Sequence, residues 1–171
     1  DEMKRFIREG RWHISGASWD ATDNIVPSPE SAIRNILLGQ EFYRHEFGVE
    51  STDIFLPDCF GFGYTLPTVA HHCGLLGFSS QKLGWRHHYF HGQGKRYPYP
   101  VGLWQGIDGA RIMMAHGYSY GHRWAQGDDL TRSKQLQHRL KETPLGTLFH
   151  YYGTGDVGGS PTLSSVDAVA H

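Results

Sequence analysis

The stretch Ile54-Phe55-Leu56-Pro57-Asp58-Cys59-Phe60-Gly61 decides the fold of this chain. Its apolar run predicts a buried strand, and Pro57 ends that strand because proline cannot donate a ladder hydrogen bond. Leu66-Pro67 then opens a helical pattern. Asp58 is therefore expected at the carboxyl end of a strand, where α/β sheets carry their chemistry. A lone Asp in such a loop is more commonly a turn residue or helix cap, so its surroundings decide its role.

The composition indicates one globular domain and excludes several classes of protein. The 171 residues carry 16 basic and 17 acidic side chains, so nucleic acid is not an expected partner. No apolar run is long enough to span a membrane, and no signal-peptide pattern is present. The 12 His, 23 aromatic and 22 Gly residues (9 Tyr, 9 Phe and 5 Trp make up the aromatics) indicate a ring-lined cleft between sharp loops. Because the chain starts at Asp1 rather than Met, we expect either a processed N-terminus or a piece of a larger protein.

Strand, loop and helix recur about four times along the chain, which predicts an α/β fold with a mostly parallel sheet. The predicted strands cover residues 11–19, 54–56, 77–82 and 148–152, and Asp108-Gly109 between two apolar runs predicts a hairpin over residues 103–114. The predicted helices cover residues 28–48, 66–73 and 126–142, and Ser160-Pro161 starts a last one.

The helix over residues 28–48 carries the strongest local signals. Ser28 is the expected N-cap, Pro29 takes the first helical position, and the helix should end near Gly48. Its expected buried face consists of Ile33, Ile36, Leu37 and Gln40.

Two carboxylates at strand exits are the first candidate for chemistry. Asp58 follows the strand described above, and Asp156 lies in the glycine-rich segment after residues 148–152. Glycoside hydrolysis needs such a pair, one to attack or activate water and one to protonate the leaving oxygen. Spacing alone leaves this open, because any α/β domain has Asp residues at strand ends.

Other constellations point to weaker alternatives. Gly153-x-Gly155-x-x-Gly158 matches a dinucleotide fingerprint, but Asp156 would aim a carboxylate at the pyrophosphate and Pro161 would fall inside the required helix. One further set of residues consists of histidines whose spacing does not favour a zinc site and which are better explained as solvated loop residues: His71, His72, His87, His88 and His91. The other set consists of aromatic rings that either stack on sugars or fill the core: Trp85, Trp104, Tyr118 and Tyr120.

Four motifs in order give the chain its family resemblance. They are Leu56-Pro57-Asp58-Cys59-Phe60-Gly61 with Leu66-Pro67, Gln81-Lys82-Leu83-Gly84-Trp85, Trp104-x-Gly106-Ile107-Asp108-Gly109, and Gly153-x-Gly155-Asp156-x-Gly158-Gly159-x-Pro161-Thr162. With these motifs, the chain from about Trp12 onward resembles glycoside hydrolase family 38, the α-mannosidases. The segment 28–48 is similar to the helix that precedes that family's nucleophile strand.

The resemblance implies a retaining α-mannosidase. Residues 1–171 would be a portion of the N-terminal catalytic domain, built on a seven-stranded β/α barrel of parallel strands alternating with helices that this chain leaves incomplete. Asp58 matches the nucleophile and zinc ligand, and Asp156 matches the general acid and base, whose pKa should be raised. Lys82, Trp85 and Tyr120 fall at substrate-binding positions. Retention further requires the two carboxyl groups to lie roughly 5 Å apart.

The resemblance also implies one zinc ion and a mannose-containing oligosaccharide or glycan as substrate. The family's other zinc ligands are expected outside this chain, so the isolated piece should be inactive. Val157 departs from the family's usual glycine and restricts the Asp156 loop. A non-catalytic carbohydrate-binding relative and a nucleotide-binding α/β domain using residues 153–158 remain as alternatives. Compartment and homo-oligomerisation are left open.

Overall fold

The computed structural model describes residues 2–82, 100–117, 133–152 and 161–170 of the chain. The chain divides into two compact units, Asp1–Ser80 with Leu103–Met114 and Gln81–Gly102 with Ala115–His171. The helices are α1 (Glu2–Arg8), α2 (Pro29–Phe47), α3 (Leu66–His72), α4 (Lys134–Glu142) and α5 (Leu163–Ala170). The strands are β1 (Asp53–Phe55), β2 (Gly77–Ser80), β3 (Val101–Gln105) and β4 (Arg111–His116). These elements confirm the predicted α/β class.

The described strands form one four-stranded sheet in the order β1-β2-β4-β3. β1 and β2 are parallel, with Ile54 opposite Phe78 and Phe55 opposite Ser79. β3 and β4 are neighbours joined only by residues 106–110, and a connection that short makes an antiparallel pair. The hairpin predicted from Asp108-Gly109 is therefore confirmed, and it makes the sheet mixed rather than wholly parallel.

The strand–turn–helix unit around Asp58 forms as the sequence predicts. The Leu56 N–H donates to the Ser79 carbonyl at 3.0 Å, and Pro57 then ends the ladder. Ile54 and Leu56 are each 1% exposed, so the strand is anchored in the core of its unit. Fully burying an aliphatic side chain of this size contributes about 1.5–3 kcal/mol.

Helix α2 has the predicted ends but a different buried face. Ser28 Oγ accepts a capping hydrogen bond from Ser31 N, and Gly48 closes the helix in the left-handed region with φ of 70°. The buried positions are Ile36, Gly39 and Gln40, whereas Ile33 and Leu37 are exposed. The prediction that Ile33 and Leu37 are buried was therefore wrong. At Gly39, residues 17–19 approach so closely that a Cβ would lie 2.0 Å from the Ala17 carbonyl oxygen, and that contact sets the buried face.

A buried amide clamp joins α2 to the chain entering β1. Gln40 Nε2 donates to the Ser51 carbonyl at 2.7 Å, and Ser51 N donates to Gln40 Oε1 at 3.0 Å. Both residues are almost fully buried. The side chain thus satisfies a donor and an acceptor that neither helix nor sheet would pair.

Two predicted strands are not strands, and one predicted helix starts later. Residues 11–19 run beside β1, but they make isolated hydrogen bonds rather than a repeating ladder. One of these bonds runs from Ala17 N to the Asp53 carbonyl at 2.8 Å. Residues 148–152 have no regular structure. α5 begins at Leu163, because Thr162 Oγ1 accepts from Ser165 N and takes the capping role expected of Ser160.

The remaining helices were predicted in part. α3 ends before Gly74, whose φ of 79° stops it, and α4 lies within the segment predicted as helical, of which residues 126–132 fall outside the described residues. Helix α1 was not predicted. No helix in the described ranges combines the length and the apolar character needed to cross a bilayer.

Candidate functional site

Asp58 lies three residues after β1, at the carboxyl end of the parallel β1–β2 pair. Its side chain is exposed, while Leu56 just before it is buried. The loop therefore starts from a fixed point in the core and presents the carboxylate outward. This is the placement that the sequence predicted.

The loop that carries Asp58 is tied to an earlier loop. Cys59 Sγ donates to the Thr22 carbonyl at 3.1 Å, and Asn24 and Phe62 form an isolated parallel β-bridge. At Gly61, φ is 142° and a Cβ would lie 3.0 Å from a side-chain carbon of Ile25, so a side chain would fit poorly. Contacts thus hold the residues on both sides of Gly61.

Charge and burial act on the groups beside Asp58. Asp23 Oδ1 accepts hydrogen bonds from Ile25 N at 2.7 Å and Val26 N at 3.1 Å, and these bonds lower the pKa of Asp23. Burial raises the pKa of the Cys59 thiol, and the negative charges of Asp23 and Asp58 raise it further. The thiol therefore stays protonated and keeps its hydrogen for the Thr22 carbonyl.

An open cleft of about 350 Å³ lies along these two loops, at the start of α2 and α3. Leu66 and Val69 form a buried apolar floor. Asp23, Asn24 and Tyr64 are among the polar groups at its rim. The cleft belongs wholly to the first unit.

The other predicted site residues are placed only in part. Lys82 lies two residues after β2 and is 5% exposed. Trp85, Tyr120 and Asp156 lie outside the described residues. So do the glycine pattern over residues 153–158, His87, His88, His91 and Tyr118.

Zinc was expected on Asp58. Within the described residues, no group of three or more His, Cys, Asp or Glu side chains could hold a metal ion. Protein zinc sites use three or four ligands, so a single carboxylate does not fit zinc by itself. The described residues alone therefore make no zinc site.

The motif around Asp108 has a structural role. Thr68 Oγ1 donates to Asp108 Oδ1 at 2.7 Å, and His72 Nε2 lies 2.8 Å from Asp108 Oδ2. Ala110 N also donates to Oδ1, at 3.1 Å. The Thr68 hydroxyl, followed by the His72 bond, lowers the pKa of Asp108 well below its usual range. These bonds attach the turn of the hairpin to α3.

Tight packing supports the same attachment. A Cβ at Gly106 would lie 2.2 Å from Thr68 Oγ1 and 2.9 Å from Thr68 N. Trp104 packs edge-on against Phe78 with ring centroids 5.2 Å apart. Trp104 thus contributes to packing against β2, in agreement with core filling rather than with an exposed stacking ring.

Asp23 and Asn24 are the residues whose closeness to the Asp58 loop was not predicted from sequence. Both lie between the strand predicted over residues 11–19 and the helix predicted over residues 28–48, and they were given no role. The available signal was the predicted β/α alternation, because loops after neighbouring parallel strands meet at one edge of a sheet, although residues 11–19 run beside β1 without forming a strand.

Comparison with known proteins gives a consistent family. The sequence pattern of the Glycosyl hydrolases family 38 N-terminal domain matches residues 1–170. Alpha-mannosidase G of Dictyostelium discoideum is 32% identical over 173 residues, covering 98% of this chain and 15% of the relative. Alpha-mannosidase 2C1 of Homo sapiens is 31% identical over 167 residues, covering 96% and 15%.

A solved structure agrees at the level of the fold. The crystal structure of an alpha-mannosidase from Enterococcus faecalis superimposes with a TM-score of 0.69 at 19% sequence identity. The match covers 98% of this chain and 19% of that protein. The chain thus spans between a seventh and a fifth of the length of these matched proteins, 15% of each curated relative and 19% of the solved one.

Proposed function

Because the chain belongs to glycosyl hydrolases family 38, we propose that the whole protein hydrolyses terminal α-mannosides with retention of anomeric configuration. The observation that carries the proposal is Asp58, an exposed carboxylate at the carboxyl end of a buried parallel strand. Its loop is held on one side by the core and on the other by the Thr22–Ile25 loop. A fixed, exposed carboxylate is what nucleophilic attack on a sugar requires.

In the first step, Asp58 is the nucleophile and Asp156 is the general acid. A carboxylate oxygen of Asp58 bonds to the anomeric carbon of mannose while the bond from that carbon to the leaving oxygen breaks. Asp156 gives its proton to the leaving oxygen, so the departing sugar leaves as a neutral alcohol. The product is a covalent mannosyl ester of Asp58.

In the second step, water replaces Asp58 on the anomeric carbon. Asp156, now ionised, takes a proton from the water as the oxygen attacks, and the ester bond to Asp58 breaks. Two inversions restore the original α configuration. Asp156 ends protonated and Asp58 ends ionised, which regenerates both starting states.

The proposal extends to the surroundings of the pair. Residues 1–171 would be part of the catalytic domain, on a seven-stranded β/α barrel, and Lys82, Trp85 and Tyr120 would contact the mannose-containing glycan. The likeness to a solved alpha-mannosidase supports the fold. One zinc ion would take Asp58 as a ligand, with its remaining ligands coming from residues outside the described ranges.

The test of the nucleophile uses the full-length protein and an aryl α-mannoside. Asp58→Ala should abolish hydrolysis, and added azide should restore turnover with β-linked mannosyl azide as the product, because azide takes the place of Asp58 on the face opposite the α-linked leaving group. Asp20→Ala is the matched control, because Asp20 is also an exposed loop carboxylate but bonds to Asn35 only through its backbone. Full activity in Asp58→Ala would sink the assignment.

Retention and zinc have separate readouts. Proton NMR of the first product should show α-mannose, and a fluorinated mannosyl fluoride should leave a mannosyl adduct on the peptide that contains Asp58. Metal analysis should find one zinc per wild-type protein and less in Asp58→Ala. β-Mannose as the first product would overturn retention, and unchanged zinc content would remove Asp58 from the ligand set.

A further inference from the structure

The cleft beside the Asp58 loop has the size and lining of a small-molecule site. Its volume of about 350 Å³ falls in the range of ligand pockets. Its floor is apolar, because Leu66 and Val69 are buried there. Tyr64 stands at the rim with 72% of its surface exposed, so its ring is available to a ligand in the cleft.

The lining favours a neutral, hydroxyl-rich ligand over an anion. No Lys, Arg or His occurs among the described residues that line the cleft, and Asp23 contributes a negative charge. At the N-terminus of α2, Ser28 Oγ already accepts from Ser31 N, which satisfies one of the N–H groups that an anion would use. A sugar presents one apolar face to a ring and hydroxyl groups to amide and hydroxyl partners, which Tyr64, Asn24 and Thr65 supply.

The cleft adjoins the proposed reaction centre without including it. Asp58 is not a lining residue, and the lining of this loop starts at Gly63. The two walls are nevertheless joined through the Asp58 loop, because Cys59 bonds to Thr22 and Phe62 bridges to Asn24. The Asp58 loop therefore connects the proposed reaction centre to both walls of the cleft.

We propose that this cleft binds the leaving-group sugar of a mannose-containing oligosaccharide. The inference rests on the proposed function. The reacting mannose must contact Asp58 and is terminal, so its single neighbour in the chain is the sugar on the leaving oxygen. Tyr64 stacks on the apolar face of that sugar, and Thr65 and Asn24 meet its hydroxyl groups. The site selects for extended substrates over mannose linked to a small group.

The test compares two substrates in the full-length protein. One is an α-linked mannobiose, and the other is α-mannosyl fluoride, whose leaving group is a single atom. Tyr64→Ala should raise KM for mannobiose about tenfold, while kcat/KM for the fluoride should change by less than about twofold. Trp12→Ala is the matched control, because Trp12 is a half-exposed ring of the same unit that does not line the cleft.

Conservative variants separate binding from loop structure. Tyr64→Phe keeps the ring and should keep most of the mannobiose affinity. Thr65→Val should weaken mannobiose alone by about threefold, because the Thr65 hydroxyl makes no capping bond to α3 whose loss would disturb the helix. Agreement of all three variants with these directions supports the assignment.

Opposite results have distinct meanings. If wild type hydrolyses both substrates and Tyr64→Ala leaves mannobiose unchanged, or weakens both substrates equally, the cleft does not bind the leaving group. If wild type hydrolyses neither substrate, the proposed function itself fails and the inference fails with it.

Discussion

Two glycine-rich turns in the first unit carry an Asp three residues after a strand, and they use it differently. Asp108, after β3, accepts from the Thr68 hydroxyl and from Ala110 N, and lies against His72. Asp58, after β1, is exposed, and its loop is held by the residues beside it. In the Asp108 turn the carboxylate attaches the turn to α3, and in the Asp58 loop Cys59 and Phe62 bond to the Thr22–Ile25 loop.

The difference shows how one residue type serves either structure or chemistry. In the Asp108 turn, groups from the turn's own backbone and from α3 bond to one side chain, the Asp108 carboxylate. In the Asp58 loop, a thiol at Cys59 and a backbone bridge at Phe62 are among the anchoring groups. The local motif does not separate the two cases, because both are short Gly-containing stretches after a strand. The partners that the fold brings in decide it.

Replacing each of the two carboxylates with its amide should give the largest difference between the Asp58 loop and the Asp108 turn. In the full-length protein we expect Asp58→Asn to lower kcat for an aryl α-mannoside by a factor on the order of 10⁴ or more, with the fold intact. Asp108→Asn should retain activity within about threefold, because the bonds of its carboxylate to described residues go to its own turn and to α3. Steady-state kinetics and circular dichroism of the two variants measure this. Equal losses in both would contradict the contrast.

Adding one methyl group to the hairpin turn should damage structure but not chemistry. Gly106→Ala would force a Cβ against Thr68 Oγ1 and backbone N, and we expect a loss of about 1–3 kcal/mol in the free energy of unfolding. In Gly102→Ala the new methyl meets no atom within 4 Å, which makes it the matched control in the same hairpin. Denaturant titration checks both, and equal stability of the two variants would refute the role of the Gly106–Thr68 contact.

Loosening the Asp58 loop should have a smaller effect on rate. Cys59→Ala removes the hydrogen bond to Thr22, and we expect kcat to fall about fivefold, in line with one weak hydrogen bond. Cys59→Ser restores a donor and should recover most of the loss. The comparison of kcat in the two variants is the measurement. A serine variant no better than alanine would show that volume, rather than the bond, matters at this position.

The smallest effect is a pH dependence of the hairpin. The pKa of Asp108 in the folded protein is below its unfolded value, so the unfolded chain binds a proton first as pH falls. The stability that Asp108 contributes is therefore fully present above pH of about 4 and is lost as pH falls toward the folded pKa. Hydrogen exchange over residues 101–116 between pH 2 and 5 should show opening in wild type and a weaker pH dependence in Asp108→Asn.

Elements with strong local signals were predictable from the sequence. The ends of α2 follow from Ser28 and Gly48, and the hairpin follows from Asp108-Gly109. The buried face of α2 could not be predicted from the sequence, because the close approach of residues 17–19 to Gly39 is a tertiary contact. Periodicity in the helix alone pointed to Ile33 and Leu37, which are exposed.

The failures among predicted strands have a similar cause. Residues 11–19 have strand-like composition, yet Gly16 is held by an Asp53 carboxylate oxygen at 3.1 Å and by the Tyr43 hydroxyl at 3.0 Å. Those partners are side chains from other elements, and no repeating ladder forms. A short apolar run predicts burial more reliably than it predicts pairing.

Only the part of the candidate site that follows β1 could be predicted from the sequence. Asp58 follows from the apolar run and Pro57, which are adjacent in sequence. Its proximity to Asp23 and Asn24 depends on contacts such as Cys59 to Thr22, which are 37 residues apart. A single sequence gives such a contact no local signal.

The protonated thiol at Cys59 also bears on the choice of chemical probes. A raised pKa leaves little thiolate, and thiolate is the form that reacts with electrophiles and oxidants. Cysteine-directed warheads should therefore label this position slowly, although it neighbours the proposed nucleophile. An activity-based reagent for this protein should instead trap Asp58 as an ester, as an epoxide or aziridine of a mannose-shaped ring would do.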